Sequence, residues 1–322
     1  MYLHVRPSFS VCKFLFLLCV TLLGFFPSVS AAQSGQNSVP ASSLPNLESR
    51  AQGGDATAQY DFAVENLRSN PAAPDYRSAI KWLSASAAQG NVNAEYLLGY
   101  LYEHGEGIER DYAKAVENYQ AAAAKGHYAA ANNLAALYHH GKGVHKDSRR
   151  ALELFLAAAQ AGDAVGQCNL GFMYYHGYGA PRDYVLAAKW FRAAAERGDA
   201  DAQHNLGFLY SKGRGVPADD KEAVHWERLA AEQGDLHAQT DLAYLYESGK
   251  GVPLDYVAAY KWYSLAVAGG ERIAGDRRKS LSRIMTKRQL DQANALVAAE
   301  SSQLPRPLKQ PTTAALALLE AH

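Results

Sequence analysis

His104, His140 and His176 stand 36 residues apart, and His139 and His145 crowd the middle one. Imidazole nitrogen is a good zinc ligand, and zinc takes three or four ligands at about 2.0–2.3 Å in a tetrahedral array. Side chains that recur once per 36 residues belong to successive structural units, a helix pair apart, and do not close on one ion. No metal or other cofactor is expected. Cys168 is the other reactive type in the body of the chain, but no dedicated histidine and acid lie in its sequence reach. A thiol so placed fills space more often than it attacks. H-E-x-x-H, G-x-S-x-G and a phosphate loop are missing, and Gly141-Lys142-Gly143 lacks the long glycine-rich run such a loop needs. The chain reads as no enzyme, with an envelope hydrolase acting on cell wall as the alternative.

The same interval organises residues suited to recognition. One column holds Asp61, Leu97, Asn133, Asn169, Asn205 and Asp241. Three residues on lie Tyr100, Ala136, Phe172, Phe208 and Tyr244, and four further on His104, His140, His176, Lys212 and Ser248. Spacing of i, i+3, i+7 puts each set on one helix stripe. Stacked stripes would form a groove of amides, rings and imidazoles. Asparagine both donates to and accepts from a peptide backbone, and aromatic rings supply contact area. The expected ligand is an extended peptide or helix of a protein partner. The plainer alternative is that the rings pack on the next repeat.

The elements that carry these stripes follow from the period. Asp75, Asp111, Asp147, Asp183, Asp219 and Asp255 are each 36 residues apart. Gly90 to Gly270 keep the same beat, as do Gly-x-Gly pairs beginning at Gly105, Gly141, Gly177, Gly213 and Gly249. Between Asp163 and Gly198, Gly166, Leu170, Met173 and Tyr174 fall at i, i+4, i+7, i+8, one face of an α-helix. Gly177 and Gly179 end that helix by accepting a left-handed backbone. Ala187, Phe191, Ala194 and Ala195 repeat the spacing, and Asp183 is placed to cap this second helix. Trp82, Trp190, Trp226 and Trp262 share one column, read as packing. A two-helix unit cannot bury its apolar face alone, so neighbours must stack. The fold class is therefore all-α, an α-solenoid of two-helix 36-residue repeats.

The recurring pattern A-x-x-x-L-G-x-x-Y-x-x-G-x-G-V, then D, then A-x-x-W-[YF]-x-x-A-A-x-x-G resembles the Sel1-like repeat family, a branch of the tetratricopeptide-like α-solenoids. Ala202, Leu206, Gly207, Tyr210, Gly213, Gly215, Val216, Asp219, Ala223, Trp226, Ala230, Ala231 and Gly234 follow it, and Glu227 departs at the aromatic position. The resemblance implies a right-handed superhelix whose concave side binds other proteins. Relatives resemble degradation adaptors, envelope regulators, polysaccharide-export scaffolds and host-interaction factors. None of the matched residues carries over as catalytic. Some cysteine-rich relatives are linked to β-lactam hydrolysis, but their paired cysteines are absent here.

The ends differ from the repeats. Arg6 and Lys13 precede the apolar run FLFLLCVTLLGFF from Phe14 to Phe26, and Pro27 and Ser28-Val29-Ser30-Ala31-Ala32 follow. That is the pattern of a secretory signal over 1–32. Its run of thirteen residues falls short of the roughly 20 that a spanning helix needs. Residues 33–53 read as a linker and short capping helix, 54–270 as six repeats, 271–300 as C-terminal capping helices and 301–322 as a flexible tail. With 32 basic and 32 acidic residues, nothing points to nucleic acid. The expectation is a monomeric scaffold in the periplasm or outside the cell, with no membrane span after signal cleavage.

Overall fold

The computed structural model describes residues 44–70 and 73–301. The expected signal segment, the linker before Leu44 and the tail beyond Ser301 lie outside the described residues. Among the described residues there are fifteen helices and no strand. They are α1 (Leu44–Gln52), α2 (Ala56–Arg68), α3 (Tyr76–Ala88), α4 (Val92–His104), α5 (Tyr112–Ala124), α6 (Tyr128–His140), α7 (Ser148–Gln160) and α8 (Ala164–His176). The rest are α9 (Tyr184–Ala195), α10 (Ala200–Lys212), α11 (Asp220–Glu232), α12 (Leu236–Ser248), α13 (Tyr256–Ala268), α14 (Arg272–Ser282) and α15 (Lys287–Ser301). The architecture is an all-α solenoid of two-helix repeats. No described helix is long and apolar enough to cross a membrane.

Two compact units divide the chain, one ending at Ala130 and the other starting at Ala131, inside α6. Within the first, α2 pairs with α3 and α4 with α5, while α1 packs on α2 and α3 on α4. Within the second, each helix from α7 to α13 packs on the next, and α14 and α15 both close on α13. Lateral packing of neighbours is thus present in each unit, as a solenoid requires.

Caps set the helix boundaries. Asp183, Asp219 and Asp255 each accept hydrogen bonds from two first-turn N–H groups, of α9, α11 and α13, and Asp75, Asp111 and Asp147 each accept from one. Such a cap contributes about 1 kcal/mol. A second capping column opens the other helix of each repeat. Asp55, Asn91, Asp163, Asp199 and Asp235 accept from the third helical N–H, and His127 Nδ1 does so at 3.2 Å. Thr286 and Gln289 form a reciprocal capping box at the start of α15.

In three loops of the second unit the second glycine is a lateral joint. Gly215 has φ +71°, and a Cβ there would land on the Tyr184 carbonyl at the start of α9. Gly179 meets Ser148 and Gly251 meets Asp220 in the same way. Only glycine meets both demands, left-handed φ and backbone contact. Between the helices of one repeat, a Cβ on Gly171 would stand 2.8 Å from the Phe191 ring, and one on Gly99 would stand 2.6 Å from Tyr119. Large rings therefore seat directly on bare backbone. The tryptophans pack less deeply. Trp262 is buried, whereas Trp82, Trp190 and Trp226 are half-buried, and Lys261 and Lys189 lay their ammonium groups over their neighbours' indoles.

Candidate functional site: a helix-face stripe and an acid–histidine cluster

The stripe residues fall on the first helix of each repeat, where the caps fix their rotation. In the second unit, Asn169 on α8 and Asn205 on α10 are half-buried, and neither amide makes a hydrogen bond among the described residues. Phe172 lies 4.4 Å from the His176 ring, which stacks on Tyr178 at 5.3 Å. Phe208 meets Tyr175 of the preceding repeat edge-on at 6.4 Å, so the packing alternative holds for that ring in part. Above it sit Lys212 at 5.6 Å and the Arg214 guanidinium at 5.7 Å. Arg214 also faces the Tyr175 and Tyr184 rings and donates to the Tyr175 hydroxyl. Tyr244 on α12 is flanked by Lys250 and Arg277. A ring face attracts a cation through its quadrupole, so this face is aromatic beneath and cationic on top.

Two expected contact residues, Asn133 and Tyr100, are buried. Asn133 is only 6% exposed, which leaves little of its side chain for a ligand. Tyr100 in the first unit is likewise 6% exposed, its phenol held above its ordinary range first by burial and then by Glu106. The exposed His104 ring stacks on it at 4.0 Å and covers it. His140 is exposed, edge-on to His139 at 5.0 Å. Burial, then the neighbouring His140, pushes the His139 imidazole down to about 4.

Asp241 belongs to a different arrangement. His204 on α10, Glu227 on α11 and Asp241 on α12 offer ligand atoms that all lie within 4.8 Å of one another. His204 Nδ1 is 2.9 Å from Glu227 Oε2. Glu227 is 2% exposed. It takes the position of Phe191 in the preceding repeat, with Gly207 beneath it where Phe191 has Gly171. Burial disfavours charge on all three groups. At His204, the Glu227 carboxylate and its hydrogen bond outweigh burial and hold the imidazole proton well above the usual histidine range. Burial raises the carboxyls of Glu227 and Asp241. Lys212 and His237 lie within electrostatic reach of Asp241.

In the sequence Glu227 stands out only as a departure from an aromatic column, and no motif marks His204. Each departure is visible on one line of sequence, but their convergence needs the packing of three helices. A recurring glutamine was also overlooked. Gln59, Gln167, Gln203 and Gln239 each donate to a carbonyl eight residues back, Ala51, Ala159, Ala195 and Ala231 respectively, at 3.1–3.2 Å. These carbonyls end the preceding helix, where each also accepts the N–H of the glycine three residues on, so the glutamine adds a second bond. The 36-residue spacing from Gln167 to Gln203 to Gln239 was the signal that could have found them.

Comparison with known proteins agrees with this geometry. The Sel1 repeat model matches residues 56–91, 92–127, 129–163, 164–199, 200–235 and 236–271. A protective antigen of uropathogenic Escherichia coli strains displaying an SLR fold is 35% identical, with a TM-score of 0.71 over 81% of this chain. The chain spans 56% of that antigen's length. A Sel1 repeat protein from Oxalobacter formigenes is 29% identical with a TM-score of 0.63, covering 76% of this chain and 99% of its own. No curated protein matches. With six matched repeats over more than half of its length, the chain belongs to the Sel1 repeat family.

Proposed function

We propose that the chain is an exported, non-enzymatic scaffold that binds a protein partner on the α8–α10 face, in the periplasm or outside the cell. The Sel1 repeat is generally a protein-interaction fold, which supports the binding role. The observation that carries the site is the pair of half-buried, unbonded amides of Asn169 and Asn205 beside Phe172 and Phe208. A half-buried amide without a partner favours a ligand that supplies backbone donors and acceptors. The ammonium and guanidinium over Phe208 favour an acidic partner segment. Export rests on the basic, apolar and small-residue pattern of the first 32 residues.

The test is a comparison of the mature protein with its Asn169→Ala/Asn205→Ala double variant as baits in envelope extract. The partner so identified is then titrated against both. The expected result is capture by the parent chain and about a 10-fold or greater weakening in the variant, two lost polar contacts at about 1 kcal/mol each. Unchanged affinity with helicity intact would remove the Asn stripe as the site.

A further inference from the structure

We infer that His204, Glu227 and Asp241 form a binding site for one divalent first-row transition cation. The first ground is convergence. The position of His204 is Tyr96, Asn132, Cys168 and Thr240 in other repeats, that of Glu227 is Tyr119, Phe155, Phe191 and Tyr263, and that of Asp241 is Leu97, Asn133, Asn169 and Asn205. In no other described repeat do three metal-ligating side chains occupy these positions together. Here three separate helices deliver them to one point.

The second ground is distance. Metal–ligand bonds of about 2.0–2.2 Å to imidazole and carboxylate place adjacent ligand atoms about 3 Å apart at right angles and about 4 Å apart when opposed. The 2.9 Å between His204 Nδ1 and Glu227 Oε2 already fits an adjacent pair. Closing the outer bound of 4.8 Å to about 3–4 Å asks for a side-chain adjustment of roughly 1–2 Å. One imidazole and two carboxylates suit zinc or manganese better than calcium, which takes six to eight oxygens. Water fills the remaining positions.

The third ground is charge. A His204–Glu227 pair alone is balanced when both are ionised, and Asp241 adds a second carboxylate that the pair does not require. Asp241 is half-buried, and even partial burial of an uncompensated carboxylate costs free energy. A dication balances both acids and leaves the imidazole neutral. Lys212 and His237 offset part of Asp241's charge from farther out. Entry is open past His204, whose side chain is 21% exposed, whereas that of Glu227 is 3% exposed.

Untagged full-length protein, stripped with chelator, is titrated with ZnCl2 by calorimetry, and bound zinc is counted after dialysis. One zinc per chain is expected. Glu227→Tyr and Asp241→Asn should each lower the affinity at least about 10-fold, as loss of a ligand does more than loss of its outer support. Each variant installs the residue that another repeat carries at that position. If Glu227→Tyr does not fold, Asp241→Asn alone decides. The inference is overturned if the parent chain takes up no stoichiometric zinc, or if a folded variant takes up zinc as tightly as the parent. Neither outcome depends on any partner of the α8–α10 face.

Discussion

Two adjacent repeats, α8–α9 and α10–α11, share nearly every structural device and differ at the centre. Both open on an aspartate cap, Asp163 or Asp199, and both start their second helix with another, Asp183 or Asp219. Both send a glutamine back to a helix-end carbonyl. Yet Gly171 carries the Phe191 ring, and Gly207 carries the Glu227 carboxylate. A globular core would not tolerate that exchange easily, because one core serves the whole fold. In a repeat array, stability is close to a sum of local and nearest-neighbour terms, so one joint can turn polar while its neighbours hold. The periodic residues therefore build the scaffold, and the residue that breaks the period carries information about function.

The largest expected effect tests that claim directly. Phe191→Ala should destabilise the second unit by about 3–5 kcal/mol, the cost of a buried ring and the cavity it leaves. The paired change His204→Tyr/Glu227→Tyr, which installs the residues that the α4–α5 repeat carries there, Tyr96 and Tyr119, should be neutral or stabilise by up to about 4 kcal/mol, since replacing a whole buried ion pair by well-packed rings often does so. Urea unfolding of metal-free protein, followed by circular dichroism, measures both. Equal destabilisation by the two changes would mean that Glu227 is as much a packing residue as Phe191, and the contrast between the repeats would collapse.

The next effect in size is on pH dependence. His204, Glu227 and Asp241 all have raised folded-state values. A raised value means that the native state holds protons the unfolded chain has released. The stability linked to it is complete below the unfolded value and is lost as pH rises through the folded one. The two carboxyls therefore lose their share from about pH 4 upward and His204 loses its share above about pH 6.5, the unfolded values of each, so the cluster's loss extends into the alkaline range. His139, His140 and His176 are shifted the other way, mainly by burial, and their contribution is lost as pH falls below about 6.5. Asp199, raised by burial to about 6, opposes that acid loss between its unfolded value near 4 and 6. Melting temperature of the chelated protein should thus decline from neutral toward alkaline pH. In Glu227→Tyr the decline above neutral pH should shrink, while the acid loss that His139, His140 and His176 produce stays in place. An unaltered alkaline limb would show that the cluster does not set it.

Most of the scaffold was legible in the sequence because its residues repeat for local reasons. Asp183 must cap, Gly177 must turn left-handed, and Leu170 must face inward, and each is stated by spacing alone. The stripe was legible as a set of columns, but exposure was not. Tyr100 and Asn133 share columns with Phe172 and Asn169, yet both are buried, because burial depends on what the neighbouring repeat places opposite. The acid–histidine cluster was the least legible part. Its members are 23 and 14 residues apart in sequence, they follow no motif, and only the stacking of α10, α11 and α12 brings them together.

The smallest expected effect compares two members of the glutamine column. Gln203 is fully engaged, since its Nε2 donates to the Ala195 carbonyl at 3.1 Å and its Oε1 accepts from Gln233 at 2.7 Å. Gln239 donates in the same way to Ala231, but its Oε1 is buried with no partner among the described residues. Each bond is worth about 1 kcal/mol net. An unsatisfied buried acceptor costs stability, so removing it offsets part of what is lost. Gln203→Ala should therefore destabilise by about 2 kcal/mol and Gln239→Ala by less than about 1 kcal/mol, read from urea midpoints at constant slope. If the two cost the same, the Gln233 bond contributes nothing, and the joint between repeats rests on the helix-end carbonyl alone.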